Sequence, residues 1–136
     1  MIPRGLRNNN PLNIRHSADS FQGEIKGTDT AFKTFISMAY GYRAAFVILH
    51  TYFSRGLNTV EKIVTRWAPP NENNTAGYVT NVEKWANIPR NKELTLADGA
   101  DYIKIAAAMC RAKNGQAANM ADVEVGFNLQ TKIKMQ

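Results

Sequence analysis

Residues 38–53 read MAYGYRAAFVILHTYF, a run apolar nearly all round at helical length. A helix without a polar face has to be surrounded, so this segment predicts a buried central helix that other elements wrap, and Gly56 marks its stop. The other helices follow from capping and three-and-four spacing. Thr59 can cap a short helix through Trp67, with Val60, Ile63, Val64 and Trp67 on one side, before Pro69–Pro70 forbid continuation. After the loop PPNENN, Asn74 or Thr75 can cap a third helix carrying Tyr78, Val79, Val82 and Trp85 on one face. Thr95 and Asp98 make a capping-box-like start for a fourth, running to about Lys113 with the stripe Tyr102, Ile103, Ala106, Met109 and Cys110 and ending at Gly115. An amphipathic turn or two follows from Ala121 to Leu129.

The remainder is shorter and more polar. Phe21–Phe35 has half-apolar runs either side of KGTD, where Gly27 and Asp29 suit a turn, and predicts a small β-hairpin. Residues 1–20 are rich in Asn, Arg, Pro and Ser and predict an irregular or turn-rich lead. The class is mainly α with a small β-hairpin (α+β), in one domain over residues 1–136, long enough for a single core.

Charge and composition exclude several functions. Seventeen Lys and Arg against eleven Asp and Glu give +6, which favours a polyanionic or carboxylate-bearing partner. No basic run exceeds two residues, and no aromatic–basic interleave or recognition-helix motif occurs, which argues against nucleic acid. No stretch approaches the roughly 18 uninterrupted apolar residues of a membrane span. Met1–Pro11 lacks the apolar core of a signal peptide, so action outside the cytoplasm is expected to require lysis, a virion, a secretion machine or a pore. His16, His50 and Cys110 lack metal-ligand spacing, and neither a nucleophile elbow nor a Gly-rich phosphate loop appears, so no metal or cofactor is expected.

Three stretches together, RNNNPLNIR, then FKTFISMAYGYRAAFVILHTYF continuing into GLNTVEKIVTRWAPPNENNTAGY, and finally AMCRAKNG, resemble the small lysozyme-like proteins of phage virions and prophages, close to sequences of Bacteroides-type gut bacteria. RWAPPNENNTAGY is the most specific of them. A further likeness is to the glucosaminidase and lytic transglycosylase group, in which a helix ends in a catalytic glutamate and an Asn-Asn segment lines the cleft. Here the Asn segment, residues 9–14, precedes the comparable helix, residues 96–113, an order that resembles a circular permutation of the lysozyme core.

The resemblance implies a peptidoglycan-directed glycosidase or lytic transglycosylase acting at the periplasmic cell wall from a virion or within the host, with other virion proteins as further partners. It also implies a cleft wall of amides and guanidinium groups, Asn9, Asn10, Asn13, Arg15 and Asn114, facing N-acetyl, hydroxyl and carboxylate groups, with Tyr78 turned toward the sugar. Trp67 and Trp85 could stack on sugars or fill the core, as could Tyr40 and Tyr42.

One position departs from the pattern. Glycan cleavage needs a carboxylic acid that donates a proton to the bridging oxygen as the ring becomes oxocarbenium-like. Related sequences read Glu-Asn-Gly at the end of the late helix, where this chain reads Lys113-Asn114-Gly115. An ammonium there repels the developing ring cation, while as an ordinary surface residue it complements a helix C-terminus. Two carboxylates compete for the chemistry. Glu72, ahead of a helix start, suits a cap, a saccharide acceptor or a cation stabiliser. Glu24, in the hairpin, could activate a water or orient substrate, or be a solvated strand residue. The alternative is a non-catalytic peptidoglycan-binding or virion structural protein that keeps the cleft.

Overall fold

The computed structural model describes residues 2–136. The elements run α1 (Arg4–Arg7), β1 (Glu24–Ile25), β2 (Thr34–Phe35), α2 (Met38–Ser54), α3 (Val60–Trp67), α4 (Thr75–Ala86), α5 (Gly99–Asn114) and α6 (Met120–Asn128). The protein is mainly helical with a small two-stranded antiparallel sheet.

Capping residues fix the helix starts. Ser37, Thr59, Asn74 and Asn119 each accept a hydrogen bond from a backbone N–H of the first turn of α2, α3, α4 and α6. At α5 only part of the expected box forms. Asp98 accepts from the Thr95 amide at 2.7 Å, but its side chain caps no helical N–H. Instead the Gly99 amide donates to the Lys134 carbonyl at 2.9 Å, so residues near 134 close this end of the helix. Asn87 ends α4 and Gly115 ends α5, both in the left-handed region.

Phe46, Leu49, Ile63, Val82, Tyr102, Ile105 and Met109 are wholly buried in one core that draws on α2, α3, α4 and α5 and is closed by Val123 and Phe127 of α6. The Phe46 and Phe127 rings meet edge to face, 5.3 Å between centroids. Tyr42 lies wholly in this core, whereas Tyr40 is half-buried beside a satellite cluster of Ile14, Phe35 and Ala44. The central helix is not covered on every side. Val47, Ile48, Thr51 and Tyr52 keep partial or full exposure along one stripe.

The hairpin is reduced to a two-residue pairing, Glu24 with Phe35 and Ile25 with Thr34. What organises this lobe is the lead segment. The Phe35 amide donates to the Asn8 carbonyl, Lys33 to Ile14 and His16 to Ala31, so residues 8–16 run alongside 31–35. The expected irregular lead thus contains one helical turn, α1, and a strand-like stretch.

Candidate functional site

The four asparagines of RNNNPLN are divided by role. Asn9 and Asn13 hold φ of 52° and 53°, a left-handed conformation that Asn tolerates better than other residues with a side chain. Asn10 is wholly buried, and its amide donates to the carbonyls of Ile14 at 2.9 Å and Lys33 at 2.8 Å while accepting from the Ile14 amide at 2.8 Å. Asn9 donates to the Phe35 carbonyl at 3.1 Å. These two side chains are occupied in folding the segment, which corrects the expectation that they face a ligand. Asn114 is corrected likewise. It is buried, and its Nδ2 donates to the carbonyls of Pro11 and Cys110, both at 2.9 Å.

Close backbone approach makes this possible. A Cβ on Gly5 would stand 2.6 Å from Asn114 Oδ1, and one on Gly41 would run into the Asn9 carbonyl. α1 therefore rests on the end of α5, and the Asn9–Pro11 turn rests on the start of α2. Trp67 Nε1 adds a bond to the Leu12 carbonyl at 3.1 Å, tying the end of α3 to the same segment.

Around this junction lies a cavity of about 310 Å³. The lead contributes Asn13, Ile14 and Arg15, the lobe Phe32, α2 Ile48 and Tyr52, and α3 Trp67. The α3–α4 loop adds Glu72 and Asn73, and α5 adds Lys113. Of the sequence-derived candidates, Asn13, Arg15, Trp67, Glu72 and Lys113 share this cavity. Tyr78 sits behind it, its ring centroid 5.4 Å from Lys113 Nζ. Glu24 does not line it. Its carboxylate is bound to Lys33 Nζ at 2.9 and 3.1 Å, away from the cavity wall, which corrects the expectation of an active water-activating or substrate-orienting group there. Trp85 is remote from the cavity lining and lies under the Arg111 guanidinium.

The electrostatics are cationic with one opposing carboxylate. Burial, and secondarily the charge of Arg15, pull the Lys113 ammonium below the ordinary lysine range. Arg15 stands 5.1 Å from the Phe32 ring centroid. Glu72 is the sole carboxylate of the lining and is exposed. The Asn13 side-chain carbonyl and the Tyr78 hydroxyl are buried without a partner, and burial pushes the Tyr78 phenol up. Tyr52 and Trp67 meet at 5.8 Å, edge to face, forming an aromatic floor. Such a surface suits a polar ring-bearing ligand with anionic substituents.

Phe32, Ile48, Tyr52 and Asn73 did not stand out in the sequence. The available signal was the 48/52 pair, four residues apart on a helix with more apolar surface than its neighbours cover. Among the described residues, no group of three or more His, Cys, Asp and Glu is arranged to hold a metal ion, and no helix is long and apolar enough to cross a membrane.

Fold and site define a small mainly helical protein whose lead segment, central helix and penultimate helix enclose a cationic, aromatic-floored cavity. No protein-family model matches the chain. It is 40% identical over 117 residues to protein P5 of Pseudoalteromonas phage PM2, an alignment covering 82% of this chain and 71% of that protein. The chain belongs to the family of this phage protein.

Proposed function

We propose that the chain is a phage-type, peptidoglycan-directed protein of lysozyme-like fold that holds a glycan strand in the cavity between Asn13–Arg15 and Lys113. The observation that carries this reading is that the end of α5 and the Asn-rich lead, separated by about a hundred residues, line one concave surface. Membership in the family of a phage protein agrees with a role in a virion that meets a host wall. In this reading Arg15 and Asn13 contact sugar substituents, Trp67 and Tyr52 lie against the sugar faces, and Lys113 occupies the position of the proton-donating acid. A lytic transglycosylase needs one group that protonates the bridging oxygen and then takes the proton of the substrate hydroxyl that closes on the ring. With lysine at that position, Glu72 is the carboxylate left to serve, from an exposed rim.

The second reading, a non-catalytic wall-binding or virion structural protein, is favoured by that same ammonium, desolvated beside Tyr78 and next to Arg15. One experiment separates them: mass analysis of fragments released from purified peptidoglycan by the chain and by Lys113→Glu, alongside retention on the insoluble wall. A restored general acid is expected to raise release by about 100-fold or more. Anhydro ends identify a transglycosylase and reducing ends a hydrolase. Retention without release in both forms selects the binding reading, and neither retention nor release refutes both.

A further inference from the structure

A second cavity, of about 670 Å³, adjoins the first and shares Ile14, Ile48 and Tyr52 with it. Its floor is Arg43, Val47 and Thr51 of α2, spaced four residues apart, followed by Arg55, the residue that caps the C-terminus of the helix. From Arg43 to Thr51 the helix rises about 12 Å, at roughly 1.5 Å per residue, and Arg55 follows about one turn further on. The opposite wall is the loop from Ser17 to Gln22.

That loop is held from beneath by a lysine with 1% of its side chain exposed. Lys33 Nζ donates to the Asp19 carbonyl at 2.9 Å and to the Ser17 carbonyl at 3.5 Å as well as to Glu24. The wall is thus fixed to the lobe by its backbone. Neither Arg43 nor Arg55 is ion-paired among the described residues, and α2 carries no acidic side chain to neutralise them. Asp19 is the one carboxylate on the lining. Two guanidinium groups free of ion pairs, of which Arg43 spends only its Nε–H, on the Leu129 carbonyl at 3.4 Å, line a groove continuous with the first cavity and are suited to planar carboxylates, which they bind through paired N–H donors.

We infer that this second cavity is a subsite for the carboxylates of the peptide stems that branch from the glycan, with Arg43 and Arg55 as the recognising groups. The inference rests on the glycan reading above and gives the site its specificity: cross-wall polymers with free stem carboxylates are preferred over uncharged glycan.

The test uses soluble peptidoglycan fragments in two forms, one native and one whose stem carboxylates have been converted to amides by carbodiimide coupling with ammonia. Binding of both is measured to the intact chain, to Arg55→Gln, an exposed position whose change leaves the core untouched, and to Arg43→Gln/Arg55→Gln, with circular dichroism as the check on folding. The intact chain is expected to bind the native form about tenfold more tightly than the amidated one, the double variant to bind both at the amidated level, and Arg55→Gln to fall between. Equal binding of the two forms by the intact chain overturns the inference while leaving the glycan reading in place, as does a preference that survives in the folded double variant. Failure of the intact chain to bind either form refutes the glycan reading and the subsite with it.

Discussion

The Lys33–Glu24 pair gives a test of how the small lobe is held. Lys33 is 1% exposed and Glu24 22% exposed at the side chain, so the ammonium depends on its partners while the carboxylate retains some water. Removing one partner of a buried pair typically costs about 3–5 kcal/mol, because the other charge is left uncompensated. Glu24→Gln keeps an acceptor oxygen beside Nζ, and the Asp19 carbonyl remains, so we place its cost at or below the bottom of that range, about 2–3 kcal/mol. Lys33→Met removes the charge that is hardest to bury and leaves a carboxylate that can hydrate, at about 1–2 kcal/mol. The asymmetry is the substance of the prediction: the change that neutralises the exposed partner is costlier than the change that deletes the buried one. For a chain of this size, about 3–4 °C of melting temperature corresponds to each kcal/mol, so Glu24→Gln should lower the midpoint by roughly 6–12 °C. Denaturant unfolding of the two single variants and the double variant supplies the cycle, and the double should lie close to Lys33→Met alone. A Glu24→Gln variant within about 0.5 kcal/mol of the parent, or a Lys33→Met variant that is the less stable of the two, would refute the reasoning.

Asp29 accepts from Arg4, Asn8 and the amides of Ala31 and Phe32, and the Arg4 guanidinium foremost holds its carboxyl well below the usual carboxylate range. A depressed folded-state value means that the contribution is complete above the unfolded value of about 3.9 and is lost as pH falls toward the folded one. Asp29→Asn should therefore lower the denaturant midpoint at pH 6, with the gap from the parent closing below about pH 4; a gap independent of pH would contradict the assignment. Gly41→Ala, which helix propensity alone would make stabilising by up to about 1 kcal/mol, should instead destabilise by about 1–3 kcal/mol, because the new methyl meets the Asn9 carbonyl and Pro11; thermal melts decide the sign. At the end of α4, Asn87 has φ of 56°, so Asn87→Ala should cost about 1 kcal/mol while Asn87→Gly stays near neutral, as read by equilibrium unfolding.

The helical frame was legible because its signals are local. Thr59 and Asn74 cap where their side chains predict, and Trp67 precedes the proline pair that ends α3. The lead segment was not legible in the same way. Four asparagines have the same chemistry in sequence, but whether an amide faces a ligand or a backbone carbonyl depends on residues 33, 35 and 110–114, which only the fold brings near. The candidate site was partly legible. Arg15, Glu72, Asn13 and Lys113 were marked by residue type and position, whereas Phe32 carries no signal beyond being apolar, and Ile48 and Tyr52 only their four-residue spacing on α2. Residues 38–53 look like a helix to be enclosed on all sides, yet a stripe of it stays open as the floor of two cavities. Apolar surface that binds a ligand and apolar surface that fills a core have the same composition. Glu24 was misleading for a related reason, since its partner is a buried lysine nine residues away whose type predicts exposure.

The Asn114 amide grips the Pro11 carbonyl across 103 positions of chain. During synthesis at roughly 5–20 residues per second, about 5–20 s pass between the appearance of one partner and the other. The segments that pair in the lobe all lie within the first 35 residues and emerge early in that interval, before the Lys113 wall of the first cavity. A chain that lacks α5 therefore lacks both Lys113 and the Asn114 anchor of the lead, so the first cavity is completed only once residues 113 and 114 are in place.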